Sequence, residues 1–138
     1  MFSMNDVMST PMTGMDMEAM QRCMEACSAC QQACTMCADS MAGDGMRMPA
    51  SMCLNTADMA GTTMRMMLRP MAMHTASMMA MHQAMITMAT ACADECEKYV
   101  DAMPSMATCV QACRECVLAC QAMIPAGHGP GTTTGTLL

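Results

Sequence analysis

The chain has almost no aromatic residues, with one Phe, one Tyr and no Trp among 138. Its core must be filled by other side chains, and it offers almost no surface on which nucleobases would stack. Positive charge is nearly as scarce: six Lys and Arg stand against twelve Asp and Glu, for a formal net charge of −6. With no basic run to neutralise a phosphate backbone, no nucleic acid is expected as a partner. Uninterrupted apolar stretches of membrane length are also missing. The segment from Pro70 to Ala93 lacks Asp, Glu, Lys and Arg, but His74, Thr75, Ser77, His82, Gln83, Thr87 and Thr90 break it up, so no membrane span is read there. The opening "MFSMNDVMSTPMTGMDMEAM" has no Lys or Arg before Arg22 and no apolar block, unlike a signal peptide. That predicts a cytoplasmic chain, with export and loss of a leader as the alternative. There is no Ser, His and Asp constellation and no Gly-rich phosphate loop, so the sequence reads as a non-enzyme.

What the chain does have is sulfur, as twelve Cys and 27 Met. Residues 23–37 read "CMEACSACQQACTMC", and the gaps from Cys23 through Cys27, Cys30 and Cys34 to Cys37 run four, three, four, three. A residue recurring every 3.5 positions stays on one face of an α-helix, so these thiols form one line facing whatever the helix packs against. Disulfide scaffolds are usually loop-rich, whereas these cysteines sit inside helical patterns; in a reducing compartment such clusters more often bind metal.

Punctuation and period divide the chain into four helices. Asp16 suits an N-cap, and the repeat Met20, Cys23, Cys27, Cys30, Cys34, Cys37, Met41 runs until "GDG" at Gly43–Gly45, placing the first helix over about 17–41. Pro49 fits the first turn of a second helix reaching Leu68, with an inner line of Cys53, Thr56 or Ala57, Ala60, Met64 and Met67. Pro70 can open a third, whose line His74, Met78, Met81, Met85, Met88, Cys92, Cys96 steps by three or four and ends near Tyr99. Pro104 opens a fourth, with Met106, Cys109, Cys113, Cys116, Cys120 and Met123 before Pro125. The fold class expected is therefore all-α: an antiparallel, up-down four-helix bundle over 17–124 with a Cys/Met-lined core. Residues 1–16 form a short Met-rich extension. Residues 125–138, "PAGHGPGTTTGTLL", have no periodicity and are expected as a flexible tail.

That topology brings Cys37, Cys53, Cys96 and Cys109 to one end. The other end gathers Met20, Met64, Met67, His74, Met78, Met81, Cys120 and Met123. Thiolate and thioether are soft ligands that together select Cu(I) over harder divalent ions. Ladder neighbours lie one helical turn apart, within reach of a shared ion. Zinc fits less well, since it takes closed groups of four and the line continues without natural quartets. Thiolates in a dry core must be protonated or neutralised by metal, so twelve would carry on the order of twelve Cu(I) ions. Protonated thiols behave as small hydrophobes, so the empty bundle is expected to fold. The competing readings are a zinc or iron–sulfur protein, or a thiol redox buffer; "CSAC" and "CREC" lack the βαβ setting of a thioredoxin-like motif.

Two blocks, "CMEACSACQQACTMC" and "CADECEKYVDAMPSMATCVQACRECVLAC" at Cys92–Cys120, resemble the bacterial copper storage protein family. The resemblance extends over about Met20 to Met123. It implies many Cu(I) ions held by thiolates inside the bundle, loading through one end with Met or His nearby, and a homo-oligomer, commonly a tetramer. It also implies storage of copper for later delivery to copper-accepting proteins. The chain departs from the family in having Met78, Met81, Met85 and Met88 along the third helix and only Cys53 on the second. Neutral thioethers are usually weaker ligands, so those positions are expected to load less tightly or to serve as a transfer route. Met stripes also fill irregular cores without binding anything, and Met64, Met67 and the third-helix line are open to that reading. His82 falls off the expected inner line, Glu95, Glu97 and Glu115 read as solvated face charges, and the line Met52, Met59, Met66, Met73 reads as a subunit contact.

Overall fold

Asp16 starts the first helix as its side chain predicts: Oδ1 accepts the backbone N–H groups of Glu18 and Ala19, both at 3.1 Å. These bonds satisfy two of the donors that every helix leaves unpaired at its start. The computed structural model describes residues 16–41 and 43–125, with the backbone alone at 44 and 72. The expected extension over 1–16, apart from Asp16, and the tail beyond Pro125 lie outside the described residues. Replacing Asp16 by Ala should cost about 1 kcal/mol, lowering the melting midpoint of the metal-free protein by roughly 3–5 °C, as a thermal circular-dichroism scan would read.

Four α-helices follow: α1 Met17–Ser40, α2 Arg47–Met67, α3 Thr75–Glu97 and α4 Met106–Gln121. A 3₁₀ turn, Asp44–Met46, leads into α2, and Pro49 falls in that helix's first turn. There the missing proline N–H would have no intrahelical acceptor anyway. Pro70 opens only a second 3₁₀ turn, Pro70–Ala72. The third helix begins at Thr75, five residues later than the sequence suggested, because His74 is its N-cap. The His74 Nδ1 accepts the Ser77 backbone N–H at 3.3 Å and meets Ser77 Oγ at 2.7 Å.

Each helix packs on two neighbours: α1 on α2 and α4, and α3 on α2 and α4. Short connections make successive helices antiparallel, giving the expected four-helix bundle with no strand among the described residues. No helix among the described residues is long and apolar enough to cross a membrane. A continuous buried core runs the length of the bundle, made of Cys, Met and Ala with Val110. On α2 small residues line the inside, with Thr56 and Thr63 fully buried. Their hydroxyls donate to the carbonyls of Met52 and Met59 at 2.7 and 2.8 Å, so no polar group there is left unsatisfied. Glu95 is not a solvated face charge. It is 8% exposed, held by Lys98 Nζ at 3.0 Å and by the Tyr99 hydroxyl at 3.4 Å. Burial without those donors would be costly.

Candidate metal centre

All twelve cysteines are buried and unbridged. Every one except Cys37 has another sulfur 3.5–3.9 Å away. The contacts form a column. At one end Cys23 meets Cys120 at 3.7 Å; one turn inward Cys27 meets Cys116 at 3.7 Å; then Cys30 meets both Cys34 and Cys113 at 3.9 Å. Cys34 continues to Cys113 at 3.6 Å and to Cys109 at 3.5 Å. The column then crosses to Cys53, the one cysteine of α2, which touches Cys96 at 3.5 Å and Cys92 and Cys109 at 3.8 Å. The heptad spacing produces this geometry: α1 and α4 run antiparallel, so each ladder step on one meets a step on the other.

The sulfurs gather into groups whose atoms all lie within 4.8 Å of one another: Cys23, Cys27 and Cys120; Cys34, Cys92, Cys109 and Cys113; and Cys37, Cys53, Cys96 and Cys109. The last is the quartet expected where the end of α1 meets the starts of α2 and α4. Two quartets correct the expectation that the line holds no natural group of four. The cause is tertiary: α2 and α3 each add thiols at the level where α1 and α4 already pair. Both quartets use Cys109, so they are joined rather than separate. At a metal–sulfur bond of about 2.3 Å, two sulfurs on one ion stand ~3.7 Å apart in a tetrahedral arrangement and ~4.6 Å across a linear one. The column is therefore spaced for shared ions with little movement beyond side-chain rotation.

Electrostatics keep the metal-free column largely neutral. Burial is the largest influence on Cys37, followed by the charge of Cys109, and pushes its thiol up to about 11. Cys34 is driven up chiefly by Cys109, then by Cys113 and Cys30. Cys109 goes the other way, because Cys113, Cys34 and Cys53 all donate S–H toward its sulfur. Cys116 is lowered likewise by Cys120, Cys27 and Cys30. Each bound cation displaces the protons that its sulfur ligands hold. Unfolded thiols ionise near pH 8.5, while Cys37 stays protonated to about 11. Between those values the unfolded state binds fewer protons, so the metal-free fold loses stability as pH rises. Anaerobic melts should give a midpoint that falls above about pH 9; metal-loaded protein, its thiols already deprotonated, should not show that fall.

The other residues singled out in the sequence divide. Met20, Met67 and Met85 are fully buried, and Met78 is 7% exposed. Met64 and Met123 are half-buried and pack against the core. Met81 and Met88 do not reach it: they line an outer groove between α2 and α3 with Asn55, Asp58, Met59 and Thr62. His74 is exposed at the helix cap rather than on the inner line. The line that α3 buries is Met78, His82, Met85, Ala89, Cys92, Cys96. It shares anchors with the expected one but takes His82 and Ala89 where the sequence suggested Met81 and Met88. Steps of three and four fit both lines, and a helix of 3.6 residues per turn does not choose between them. The residues of the expected subunit-contact line, Met52, Met59, Met66 and Met73, are half-buried against the bundle's own core.

His82 and Met24 were missed. Met24, 1% exposed, lies beside Cys23 on the α1 stripe, and an apolar face wider than a strict ladder would have included it. His82 is 2% exposed, and its Nδ1–H donates to the Met78 carbonyl at 2.7 Å. Burial holds its imidazole below the ordinary value, so the ring is neutral at pH 7. At the opposite end of the bundle, a cleft of about 330 Å³ between α1 and α4 reaches Cys37 and Cys109 past Met36, Ser40, Ser105 and Thr108.

Comparison with known proteins agrees with this geometry. A copper storage protein from Streptomyces lividans, Ccsp, solved with 10 copper equivalents, superposes with a TM-score of 0.83 at 32% identity, over 88% of this chain and 97% of that one. A structure described as copper loading to a cytosolic copper storage protein from the same organism, with five coppers, gives 0.74 at 33% identity over 77% and 92%. No curated protein sequence matches significantly. The sequence model of the copper storage proteins, Csp, spans residues 16–125, the whole of the bundle that carries the sulfur column. With column, fold and sequence in agreement, this chain belongs to the copper storage protein family.

Proposed function

We propose that the protein stores copper as Cu(I), with the twelve cysteines as primary ligands and core-facing methionines assisting, and that it performs no catalytic step. The observation that carries this reading is the column of sulfurs along the core, in which the pairs Cys23–Cys120 and Cys27–Cys116 and the connected set from Cys30 to Cys96 have neighbours at 3.5–3.9 Å, with Cys23, Cys27 and Cys120 within 4.8 Å of one another. Soft Cu(I) accepts two or three thiolates and can share them along such a column, whereas Zn(II) calls for a closed tetrahedral set of four ligands, which Cys23, Cys27 and Cys120 do not complete. The cleft at Cys37 and Cys109 offers the ions a way in. Support for a cytoplasmic store comes from the Streptomyces relative described as cytosolic. A homo-oligomer, tetrameric as the family resemblance implies, would cover some of the exposed Met36, Met48, Leu54, Met71 and Leu118; light scattering on the metal-free protein measures it.

The test is an anaerobic titration of fully reduced protein with Cu(I) against a chromophoric chelator. Retention on the order of one ion per cysteine, with about one proton released per thiolate engaged, is the expected result. The two quartets favour zinc as the competing occupant. Retention of three copper ions or fewer, with zinc held instead at four sulfurs each, would overturn the storage reading.

A further inference from the structure

Eleven of the twelve cysteines are sealed from solvent, ten of them fully and Cys109 to within 1%. Cys37 alone keeps a measurable exposure, 7%. It is also the most loosely held: its sulfur lies within 4.8 Å of Cys53, Cys96 and Cys109 but makes none of the 3.5–3.9 Å contacts that tie the others together. The last turn of α1 is nonetheless fixed around it, since the Ser40 hydroxyl donates to the Cys37 carbonyl at 2.7 Å.

The exposure comes from the cleft of about 330 Å³ between α1 and α4, which Cys37 and Cys109 both line. Its walls, Ala33, Met36, Ser40, Ser105 and Thr108, carry no charge, so an ionic reagent is neither trapped nor repelled there. A volume of that order belongs to a small-molecule cleft and far exceeds what a bare ion fills. Exchange between a thiol and a disulfide depends on access to the sulfur as well as on thiolate content. The proton on Cys37 slows such a reaction but does not redirect it to sulfurs that no reagent reaches.

We propose that Cys37 is a modification site for low-molecular-weight disulfides, and that Cys109 resolves the mixed disulfide into an intramolecular one. Cys37 Sγ, as thiolate, attacks the reagent RS–SR: a Cys37–SR bond forms, the reagent's S–S bond breaks, and one thiol leaves with the proton that Cys37 gave up. Cys109 Sγ then attacks Cys37 Sγ and expels the second thiol. Two cysteine thiols are oxidised and one disulfide is reduced to two RSH, with no further reactant. Closure brings the two sulfurs from 4.8 Å or less to about 2.05 Å.

Because Cys109 belongs to both quartets, this one bond withdraws a ligand from each. A disulfide sulfur is no longer the thiolate that binds metal. Oxidation at the cleft thus severs the joint between the quartets. The modification itself needs no copper, and only its effect on capacity rests on the storage reading.

The experiment treats the reduced, metal-free full chain with glutathione disulfide in the absence of oxygen and follows it by intact mass and tandem mass spectrometry. The expected first product is a single adduct at Cys37, which then disappears as a Cys37–Cys109 disulfide forms. The oxidised chain should retain about two fewer Cu(I) ions, one per thiolate withdrawn, and recover them on reduction. A first adduct at any other cysteine, or none while the far-UV circular dichroism stays helical, would overturn the site, and neither reading needs a variant to fold. If copper is retained but Cys37 does not react, the site fails alone. If Cys37 reacts as described but the reduced chain retains no copper, the storage reading fails and the modification site stands.

Discussion

Replacing Cys27, Cys30 and Cys34 together by Ala will leave a folded bundle that retains about a quarter less copper or worse. These three occupy the middle of the α1 ladder, where they touch Cys116, Cys113 and Cys109 across the core at 3.7, 3.9 and 3.5 Å. Each substitution removes one buried sulfur, a loss of ~1 kcal/mol in transfer free energy before any cavity term. Three such losses come to ~3 kcal/mol, against a stability of ~5–15 kcal/mol for a domain. The ligands facing them also lose their bridging partners, so capacity should fall by more than the three thiolates alone. Far-UV circular dichroism and chelator competition read the two effects separately. Collapse of the helical signal would instead make these cysteines packing residues.

Replacing Cys53 by Ala should remove more copper than replacing Cys23, although each change deletes one thiol. Cys53 touches Cys92, Cys96 and Cys109 at 3.5–3.8 Å. Cys23 touches only Cys120 at comparable range, 3.7 Å, with Cys27 inside the same looser group. A bridging thiolate serves more than one ion, so the Cys53 variant should lose roughly two to three ions and the Cys23 variant about one. Equal losses in the chelator titration would mean that the ions occupy independent sites, and the column would not describe the loaded state.

Four helices, their order, the Asp16 cap and the convergence of Cys37, Cys53, Cys96 and Cys109 were all legible in the residues. Each rests on a local rule that context does not override here: a heptad of thiols has one face, a proline or a Gly-Asp-Gly run stops a helix, and short connections force antiparallel neighbours. The errors cluster on α3. Its start was misplaced because Pro70 suits a 3₁₀ turn as well as an α-helix. Its buried face was misassigned because Met is apolar wherever it occurs, so Met81 and Met88 looked as fit for the core as Met78 and Met85. The polar His82 looked unfit.

By itself, the sequence determined that this protein would be a helical bundle with its thiols in one line and that soft metal would suit them. Those properties follow from the spacing of side chains along a single helix. Only the tertiary structure decided which sulfurs touch. It joined the two quartets through Cys109, placed Met81 and Met88 in an outer groove, and buried His82. Such outcomes depend on how one helix is rotated against its neighbours, and a period of 3.6 residues leaves that rotation open until the partners are packed.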